Sequence, residues 1–434
     1  MRKILLLLGM FPLFLSGQFR IDKFDYFELE RKQYLAPLDS TSNQTIEERK
    51  YSLRYSTDSY LYSNFLTNQF TKEALGGKIS DETIDNVSAK LPEKNRFATI
   101  IDIGLDFQIQ LKPSKSETCT LSKFGFCQAI NFGLRSNNFN STLFQKDLTL
   151  VLLNGNAPYE DQLMEFNSSN IYNYRVQEAY VGYTKNISGW YLSAELGYLK
   201  GSYHRSFDID RGSLFTSTYG TQVDLDIKYK DAQTVPIGSE AWRFAGHGAN
   251  LNLYLMKNLS QKSSFKFQAR NIGFVTWLDQ EIYEGDTTAD YSGVDIINDS
   301  GSSINNGDNV NEILGTDAYV ANQTKWLPSL LHLEYQYNFS SKIDLAGGIK
   351  YFMVVDNLPQ IYLRPSYHLF GKEMFLSVSP ILSYGGFSRF DVGIGARFQY
   401  RNCAVFLDSF QLEQLFFAEK SQSSGLSVGL ALSF

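Results

Sequence analysis

Charged side chains recur in this chain at alternate positions of segments whose other positions are apolar. A β-strand sends successive side chains to opposite faces, so the charges share the face opposite the apolar residues. A ring of side chains that all carry the same sign of charge would select ions. Side chains of opposite charge that face one another would instead form ion pairs and fill the space between them. Both signs occur in the set, which comprises Asp102, Asp106, Arg135, Glu195, Lys266, Arg270, Glu334, Asp344, Lys350, Arg364, Asp391 and Arg397. We therefore expect these residues to line a plugged or narrow interior rather than an open pore.

Sequence motifs for catalysis or metal binding are missing from the chain. Its histidines are His204, His247, His332 and His368. None lies in an HExxH motif or beside a G-x-S-x-G elbow, so each is expected to be an ordinary interface or interior residue. The sequence predicts no enzyme and no catalytic, cofactor-binding or metal-binding residues.

The cysteines leave two interpretations open. Cys119 and Cys127 could form a disulfide at the end of a hairpin in an oxidising compartment, with Cys403 unpaired. Alternatively, all three are incidental thiols. No CxxC or Cys/His metal spacing is present.

An acidic segment, 279–324, contains no lysine or arginine. Its carboxylates could bind divalent cations, which take several oxygen ligands. Because the segment lacks EF-hand spacing and is poor in apolar residues, we expect a solvated surface loop.

The two-residue period extends along most of the chain. Phe97–Leu111, Phe124–Arg135 and Phe390–Tyr400 show it, with Phe97 expected on the apolar face of the first. Further alternating segments lie near 51–62, 174–185, 190–200, 221–230, 248–256, 263–277, 328–338, 343–354, 360–370, 374–384 and 402–412. Short turns alternate with long polar loops between them, which predicts an all-β transmembrane antiparallel barrel of about 14 strands, within a range of about 12 to 16. One or two short helices are expected, at 80–91 and 145–156.

Both chain ends indicate export. Arg2 and Lys3 precede an apolar run and then small residues, which predicts a signal peptide over 1–17, an N-terminal segment over 18–50 and a barrel over 51–434. The closing strand alternates bulky and small residues, as an edge strand of a soluble sandwich also would. Its ending at Leu430, Leu432 and Phe434 resembles the C-terminal signal that the barrel-assembly machinery recognises in outer-membrane proteins.

Composition agrees with a barrel and argues against nucleic-acid binding. Hydrophobic residues make up 43% of the chain and aromatic residues 15%, which fits aromatic girdles at membrane interfaces. The net charge of -6 gives no basic field for phosphate backbones.

Four segments carry a family resemblance: Asp147–Asn156, Asn271–Trp277, Trp326–Leu330 with Tyr335, and Gly429–Phe434. They resemble a family of Bacteroidota outer-membrane barrels of unknown function, which is similar to the PorP/SprF barrels of type IX secretion and distantly to FadL-like barrels. The resemblance implies an outer-membrane location, with lipid, lipopolysaccharide and the barrel-assembly machinery as partners. The segment 19–49 lacks the Asn-Pro-Ala type of start expected of such barrels.

Three function classes follow from the resemblance and the pattern. The first is a component or anchor of a surface or secretion-related assembly, with surface or secretion proteins as partners. The second is a FadL-like conduit for hydrophobic small molecules, which predicts an apolar pocket and a kinked wall, with Gly347–Gly348, Pro365 and Pro380 as kink sites. The third is a structural barrel whose loops are its working surface.

Overall fold

The structure is a computed structural model that describes residues 51–111, 128–187, 190–234, 243–260, 262–292, 317–354, 357–371, 374–387, 390–410 and 424–434. The expected signal peptide, the segment 18–50 and the pair Cys119 and Cys127 lie outside these residues. Cys403 is half-buried and forms no disulfide.

The strands form one continuous antiparallel sheet, and their residue types follow the predicted two-residue alternation. They are β1 (Tyr51–Ser63), β2 (Lys94–Leu111), β3 (Gln128–Gln145), β4 (Leu163–Glu165), β5 (Ser169–Ile187), β6 (Trp190–Thr216), β7 (Gln222–Thr234), β8 (Gly246–Asn258), β9 (Ser263–Ser292), β10 (Asp317–Trp326), β11 (Leu330–Asn338), β12 (Ile343–Phe352), β13 (Gln360–Phe370), β14 (Met374–Gly385), β15 (Phe390–Tyr400), β16 (Cys403–Phe410) and β17 (Ser424–Ser433).

The sheet closes into a barrel because β1 pairs with β2 on one side and with β17 on the other. β7 and β8 pair successively with β6 and β9, and β10 and β11 pair successively with the other edge of β9. β4 similarly continues β5 along β6. The wall therefore has 14 strand positions, which confirms the predicted all-β antiparallel barrel.

The two ends of the barrel differ in their connections. Tyr51 and Phe434 exchange backbone hydrogen bonds at one end, called here the termini end. Five connections of two to four residues lie at the same end, for example between Ile187 and Trp190. The helices and most of the longer connections lie at the opposite end, called the loop end, whereas the sixteen residues between Leu111 and Gln128 join β2 to β3 at the termini end. Short and long connections therefore alternate as predicted for most neighbouring strands, and the four-residue connection between Gly385 and Phe390 at the loop end is another exception.

The wall is tall on one side and short on the other. The strands from β11 to β17 have 8 to 12 residues, whereas β6 has 27 and β9 has 30. β6, β7, β9 and β10 therefore continue beyond the rest of the wall at the loop end. We call this extension the projecting sheet.

The prediction of a solvated loop over 279–324 is wrong for its described parts. Residues 279–292 belong to β9 and residues 317–324 to β10. The acids are accommodated because lysines of β7 lie directly opposite them, and the Lys228 Nζ atom lies 3.2 Å from an Asp286 carboxylate oxygen. Cross-strand pairs of opposite charge favour an extended ladder. Residues 293–316 lie outside the described part.

Three short helices lie at the loop end, α1 (Asn68–Leu75), α2 (Asp81–Ser88) and α3 (Lys146–Asn154). The side chain of Ser80 caps α2, as the sequence predicts, because its hydroxyl accepts a hydrogen bond from the Thr83 N–H group. The sequence reading missed α1, although the side chain of Thr67 caps it in the same way and Gly76 follows its last residue.

The helices pack against the outside of the wall, where Phe97 shares the outward face of β2 with Ile101 and Ile103 as its alternation predicts. Phe97 is only 3% exposed because it packs with Phe70 of α1, Val87 of α2 and Leu66. Burial of an aromatic ring in this way stabilises the cap by about 2 kcal/mol. The helical cap is therefore fixed to the strands β1 and β2.

Elsewhere the outward face of the wall is apolar and exposed. Large exposed side chains on this face are Ile103, Leu105, Phe132, Leu134, Val181, Leu192, Leu196, Ile272, Phe274, Leu333, Ile349, Ile361, Leu363, Val378, Leu382, Phe398, Val405, Leu407, Leu426 and Leu430. They occur on strands all round the barrel and form what we call the apolar band. None of the described helices is both long enough and apolar enough to span a bilayer.

Candidate functional site

The interior of the barrel is lined by the polar set of each strand, and its charged members form clusters. Eleven of the charged residues predicted for this face are buried, and Asp106 is half-buried. Burying charges is costly unless they are paired and hydrogen-bonded, so their contacts decide what the interior can do.

The first cluster surrounds Arg135 on β3. Its guanidinium lies 2.9 Å from Glu195, 3.1 Å from Asp106 and 3.7 Å from Glu178. The ring of Tyr180 lies 3.9 Å from the guanidinium carbon, and its hydroxyl donates a hydrogen bond to Asp106. Adjacent strands supply these side chains, because β2, β3, β5 and β6 are neighbours in the wall. Among the described contacts, three carboxylates face one cation.

A second contact reaches across the interior. Arg270 on β9 lies 3.8 Å from the carboxylate of Asp102 on β2. Asn137 also donates a hydrogen bond to Asp102 and holds its carboxylate in place. Because β2 and β9 are separated by several strands in the wall, this pair connects opposite sides of the barrel.

The third cluster surrounds Glu334 on β11. Lys266 donates to its carboxylate at 2.8 Å, Arg364 at 3.1 Å and the Tyr362 hydroxyl at 2.6 Å. His332 Nε2 lies 2.7 Å from the same hydroxyl oxygen. Here two cations contact one carboxylate, so the sign balance is opposite to that around Arg135.

The remaining predicted residues lie in smaller contacts. Asp344 lies 2.5 Å from His368 Nε2, and Arg397 lies 3.7 Å from Asp408. Lys350 is buried directly opposite His332 in the ladder, and Asp391 is buried directly opposite Ser383.

Aromatic rings meet across the interior above the charged clusters, towards the loop end. The ring centroids of Phe139 on β3 and Phe352 on β12 lie 6.3 Å apart across the barrel. The same buried group includes Tyr60, Tyr62, Tyr174, Trp277 and Phe387. We call this group the aromatic roof. Two small cavities that the described residues form beneath it each have room for about one or two water molecules.

Several interior residues were missed by the sequence reading. Glu178 and Tyr180 lie at alternate positions of β5, so strand parity would have found them. The aromatic roof could not be found in this way, because contacts such as that between Phe139 and Phe352 join strands distant in sequence.

The ladder between β13 and β14 is interrupted by two facing prolines. Leu363 pairs with Leu382 and Tyr367 pairs with Val378, which places Pro365 opposite Pro380. Proline has no N–H group, and no pairing joins the three intervening positions of this fully described strand segment. We call this break the proline seam.

The Gly347–Gly348 pair does not interrupt its strand, contrary to the kink expected there. Both glycines pair with β11 and β13 without a break. A Cβ atom on Gly348 would lie 2.6 Å from the Tyr362 hydroxyl, so this position needs glycine for close packing.

The C-terminal residues predicted as an assembly signal lie on the outward face of β17. Leu430 is 38% exposed and Phe434 is 57% exposed, with Leu432 half-buried between them. The strand is paired on both sides, with β16 and β1. Recognition of this ending by the barrel-assembly machinery stays a prediction.

At the loop end, ion pairs and hydrogen bonds hold the projecting sheet and the cap. A hydrogen bond from Lys230 lowers the pKa of Glu284, and one from Lys228 lowers the pKa of Asp286. In the cap, Glu73 accepts hydrogen bonds from the backbone and hydroxyl of Ser80, and the backbone bond is the main cause that lowers the pKa of Glu73 to about 2.

A model described as a family of unknown function, DUF5723, matches residues 63–409. The chain belongs to the DUF5723 family. No curated protein matches it.

Solved barrels with similar folds differ from this DUF5723 chain in sequence. The deltaS2S3 mutant of the monoaromatic hydrocarbon channel TodX shares 9% identity, with 89% of this chain and 90% of that chain covered and a TM-score of 0.42. A FadL homologue from Pseudomonas aeruginosa shares 7% identity, with 88% and 89% covered and a TM-score of 0.38. The translocator domain of the autotransporter NalP from Neisseria meningitidis shares 9% identity, with 95% and 96% covered and a TM-score of 0.32.

Proposed function

We propose that this DUF5723 protein is an integral outer-membrane barrel, closed at rest, that anchors a cell-surface assembly through its loop end. The apolar band supports membrane insertion, because water-soluble monomers rarely expose contiguous apolar surface on this scale. Paired cations and rings at the termini end resemble interface anchors, with Lys257 4.2 Å from the ring of Trp190. The termini end then faces the periplasm and the loop end faces outwards.

The observation that carries the anchoring role is the projecting sheet above a closed interior. Arg270 meets Asp102 across the barrel, and Phe139 meets Phe352 above them. An open porin would keep this space free for water. By contrast, β6 and β9 continue for many residues beyond the length that a bilayer requires. The surplus structure therefore lies where a surface partner could contact it.

Replacing Leu196 by arginine distinguishes a membrane barrel from a water-soluble one. Leu196 is 62% exposed near the middle of the short stretch of β6 that pairs with β8. In lipid the change is expected to cost about 2–4 kcal/mol, and urea unfolding from lipid vesicles measures it. Tyr219→Arg, at an 88% exposed position beyond the band, is the matched control and should change little. A soluble barrel would tolerate both substitutions equally.

Photo-crosslinking in native cells tests the anchoring role. A crosslinking amino acid at Tyr219 at the tip of the projecting sheet should yield one reproducible protein adduct in intact cells. The same amino acid at Leu196 should yield lipid adducts. A barrel that yields no protein adduct at several exposed projecting positions, while correctly folded in the membrane, would contradict the anchoring role.

The proline seam favours a second candidate, a lateral conduit for hydrophobic small molecules. Where β13 and β14 share no backbone hydrogen bonds, the two strands can separate at a lower free-energy cost than strands joined by an intact ladder. Behind it, on the inner face, the hydroxyl of Ser379 donates to that of Ser366 at 2.9 Å. Apolar Ile381 and Tyr362 pack together beside it.

A disulfide across the seam tests this candidate. Ser366→Cys with Ser379→Cys, in a background with the native cysteines replaced by serine, places two thiols opposite each other at the break. For a conduit, oxidation should abolish uptake of a hydrophobic dye into proteoliposomes, and a reductant should restore it. The control pair Ser52→Cys with Ser433→Cys locks an intact ladder and should have no effect. Equal uptake in the oxidised and reduced seam variant would exclude this route.

A further inference from the structure

One edge of the projecting sheet has no neighbouring strand among the described residues. β10 pairs with β9 on one side, and no other described strand pairs with its second side, which we call the free edge. Every residue of β10 is exposed or half-buried. An edge strand of this kind presents its backbone N–H and C=O groups to another extended chain.

The backbone of β10 shows which groups the free edge presents. The Leu327 N–H group donates to the carbonyl of Gly273, and in this register Thr324 and Trp326 direct their N–H and C=O groups away from β9. The Trp326 carbonyl accepts a hydrogen bond from the Tyr172 hydroxyl, which agrees with this orientation. The backbone groups of Thr324 have no such partner within the described ranges, so an added strand can bond to them.

Edge strands in natural proteins usually carry features that prevent pairing with another chain, such as prolines, lysines or bulges. β10 contains no proline, and its single lysine, Lys325, lies near its lower end beside Asp208 of β6. It contains one bulge, between Ala321 and Gln323. The five residues before the bulge, 317–321, therefore form an unprotected edge.

The face of the sheet beside this edge has an excess of acids. Asp317 lies directly opposite Glu284, and Asp224 lies directly opposite Asp290. Carboxylates that face each other in this way destabilise a ladder. Glu284 is paired with Lys230, whereas Asp317 contacts no cation in the described structure. A lysine or arginine opposite Asp317 on an added strand supplies the missing positive charge.

The other face of β10 is apolar before the bulge. Ala318 and Val320 lie on it, and Val320 is 62% exposed. Alternate residues of an added strand would share this face and cover both side chains. The free edge therefore fits a strand that is basic on one face and apolar on the other.

A second copy of this chain fits the free edge poorly. Two copies in one membrane direct their loop ends the same way, so their β10 strands would run parallel and place equivalent residues at the same height. Asp317 of one copy would then meet Asp317 of the other, and acids that face each other repel. The charge pattern favours a partner of different sequence.

We infer that the surface partner adds an extended segment to β10 as the next strand of the projecting sheet. The segment carries lysine or arginine opposite Asp317 and apolar residues opposite Ala318 and Val320. Backbone hydrogen bonds supply the affinity, and the two faces supply the specificity. This inference rests on the proposed anchoring role and names the surface through which the partner binds.

Photo-crosslinking at Val320 in intact cells tests the inference beside the experiment at Tyr219. A crosslinking amino acid at Val320 should capture the same protein as one at Tyr219. The captured peptide should alternate apolar and polar residues and include a lysine or arginine. An adduct from Tyr219 without one from Val320 would overturn the free edge as the site and leave the anchoring role standing. An adduct of Val320 with this chain itself would also overturn the inference.

Two substitutions separate the contributions of charge and backbone. Asp317→Lys should lower the yield of the Val320 adduct at least about tenfold, because it opposes the basic residue of the partner. Asp85→Lys makes the same change of charge at an exposed position of α2 and should leave the yield unchanged. Thr324→Pro removes an N–H group that points away from β9 and should lower the yield by a similar factor.

Thr324→Ala is the matched control for Thr324→Pro, because it removes the hydroxyl and keeps the N–H group. It should yield as much adduct as the unaltered residue does. An unchanged yield in folded Asp317→Lys and Thr324→Pro barrels would overturn the inference. If Thr324→Pro does not fold, Asp317→Lys alone decides.

Discussion

Replacement of Glu334 by alanine is expected to lower the free energy of unfolding by about 3–5 kcal/mol. The Glu334 carboxylate accepts hydrogen bonds from Lys266, Arg364 and Tyr362, and its side chain is only 2% exposed. Truncation removes the carboxylate that two buried cations, Lys266 and Arg364, contact. Folding and unfolding in lipid vesicles across a urea series measures the change.

Glu93→Ala is the matched control for Glu334→Ala. The Glu93 side chain is 87% exposed and lies 3.6 Å from Lys146, a surface pair that contributes about 0–1 kcal/mol. If Glu334→Ala lowered the free energy of unfolding no more than Glu93→Ala does, the interior cluster would be hydrated rather than closed. Glu334→Gln should lie between the two, because it keeps a hydrogen-bond acceptor but removes the charge.

Simultaneous replacement of Arg270 and Phe352 by alanine is expected to open the barrel. The substitutions remove the contact across the interior and one side of the aromatic roof. If the closed state becomes less stable relative to the open state by about 2–3 kcal/mol, the population of the open state rises by about one to two orders of magnitude. Recordings in planar bilayers should show rare or no openings for the unaltered protein and frequent ones for the double variant.

The control for this experiment lies on the projecting sheet. Arg211→Ala with Tyr219→Ala removes an arginine and an aromatic ring outside the membrane, and it should leave the conductance unchanged. Large steady openings of the unaltered protein would contradict the closed interior.

The wall could be predicted from the sequence because strand parity is a local property. Alternation in β2 places Asp102 inside and Ile103 outside without knowledge of any neighbour. The short turns and the capped helix α2 are also local signals. By the same reasoning, a closer inspection of β5 would have found Glu178.

The rest depends on contacts between segments distant in the chain. The acidic part of β9 was expected to be a loop because its sequence contains many carboxylates and no lysine or arginine. The lysines of β7 that compensate this charge are distant in sequence, and only the pairing of the two strands brings them opposite the carboxylates. The register of β13 and β14 is what sets Pro365 against Pro380. The cap buries Phe97 for a similar reason, since its helices return to the outside of the wall.

The most direct test of the account is the environment of alternate residues on β6. Spin labels placed singly at positions 192 to 198 of the vesicle-inserted protein can be probed with oxygen, which dissolves in lipid, and with a water-soluble nickel complex. We expect high oxygen accessibility at Leu192, Leu196 and Tyr198, and low accessibility to both reagents at Ser193 and Glu195. Equal exposure of all these positions to the nickel complex, in a protein that stays monomeric without detergent, would contradict it.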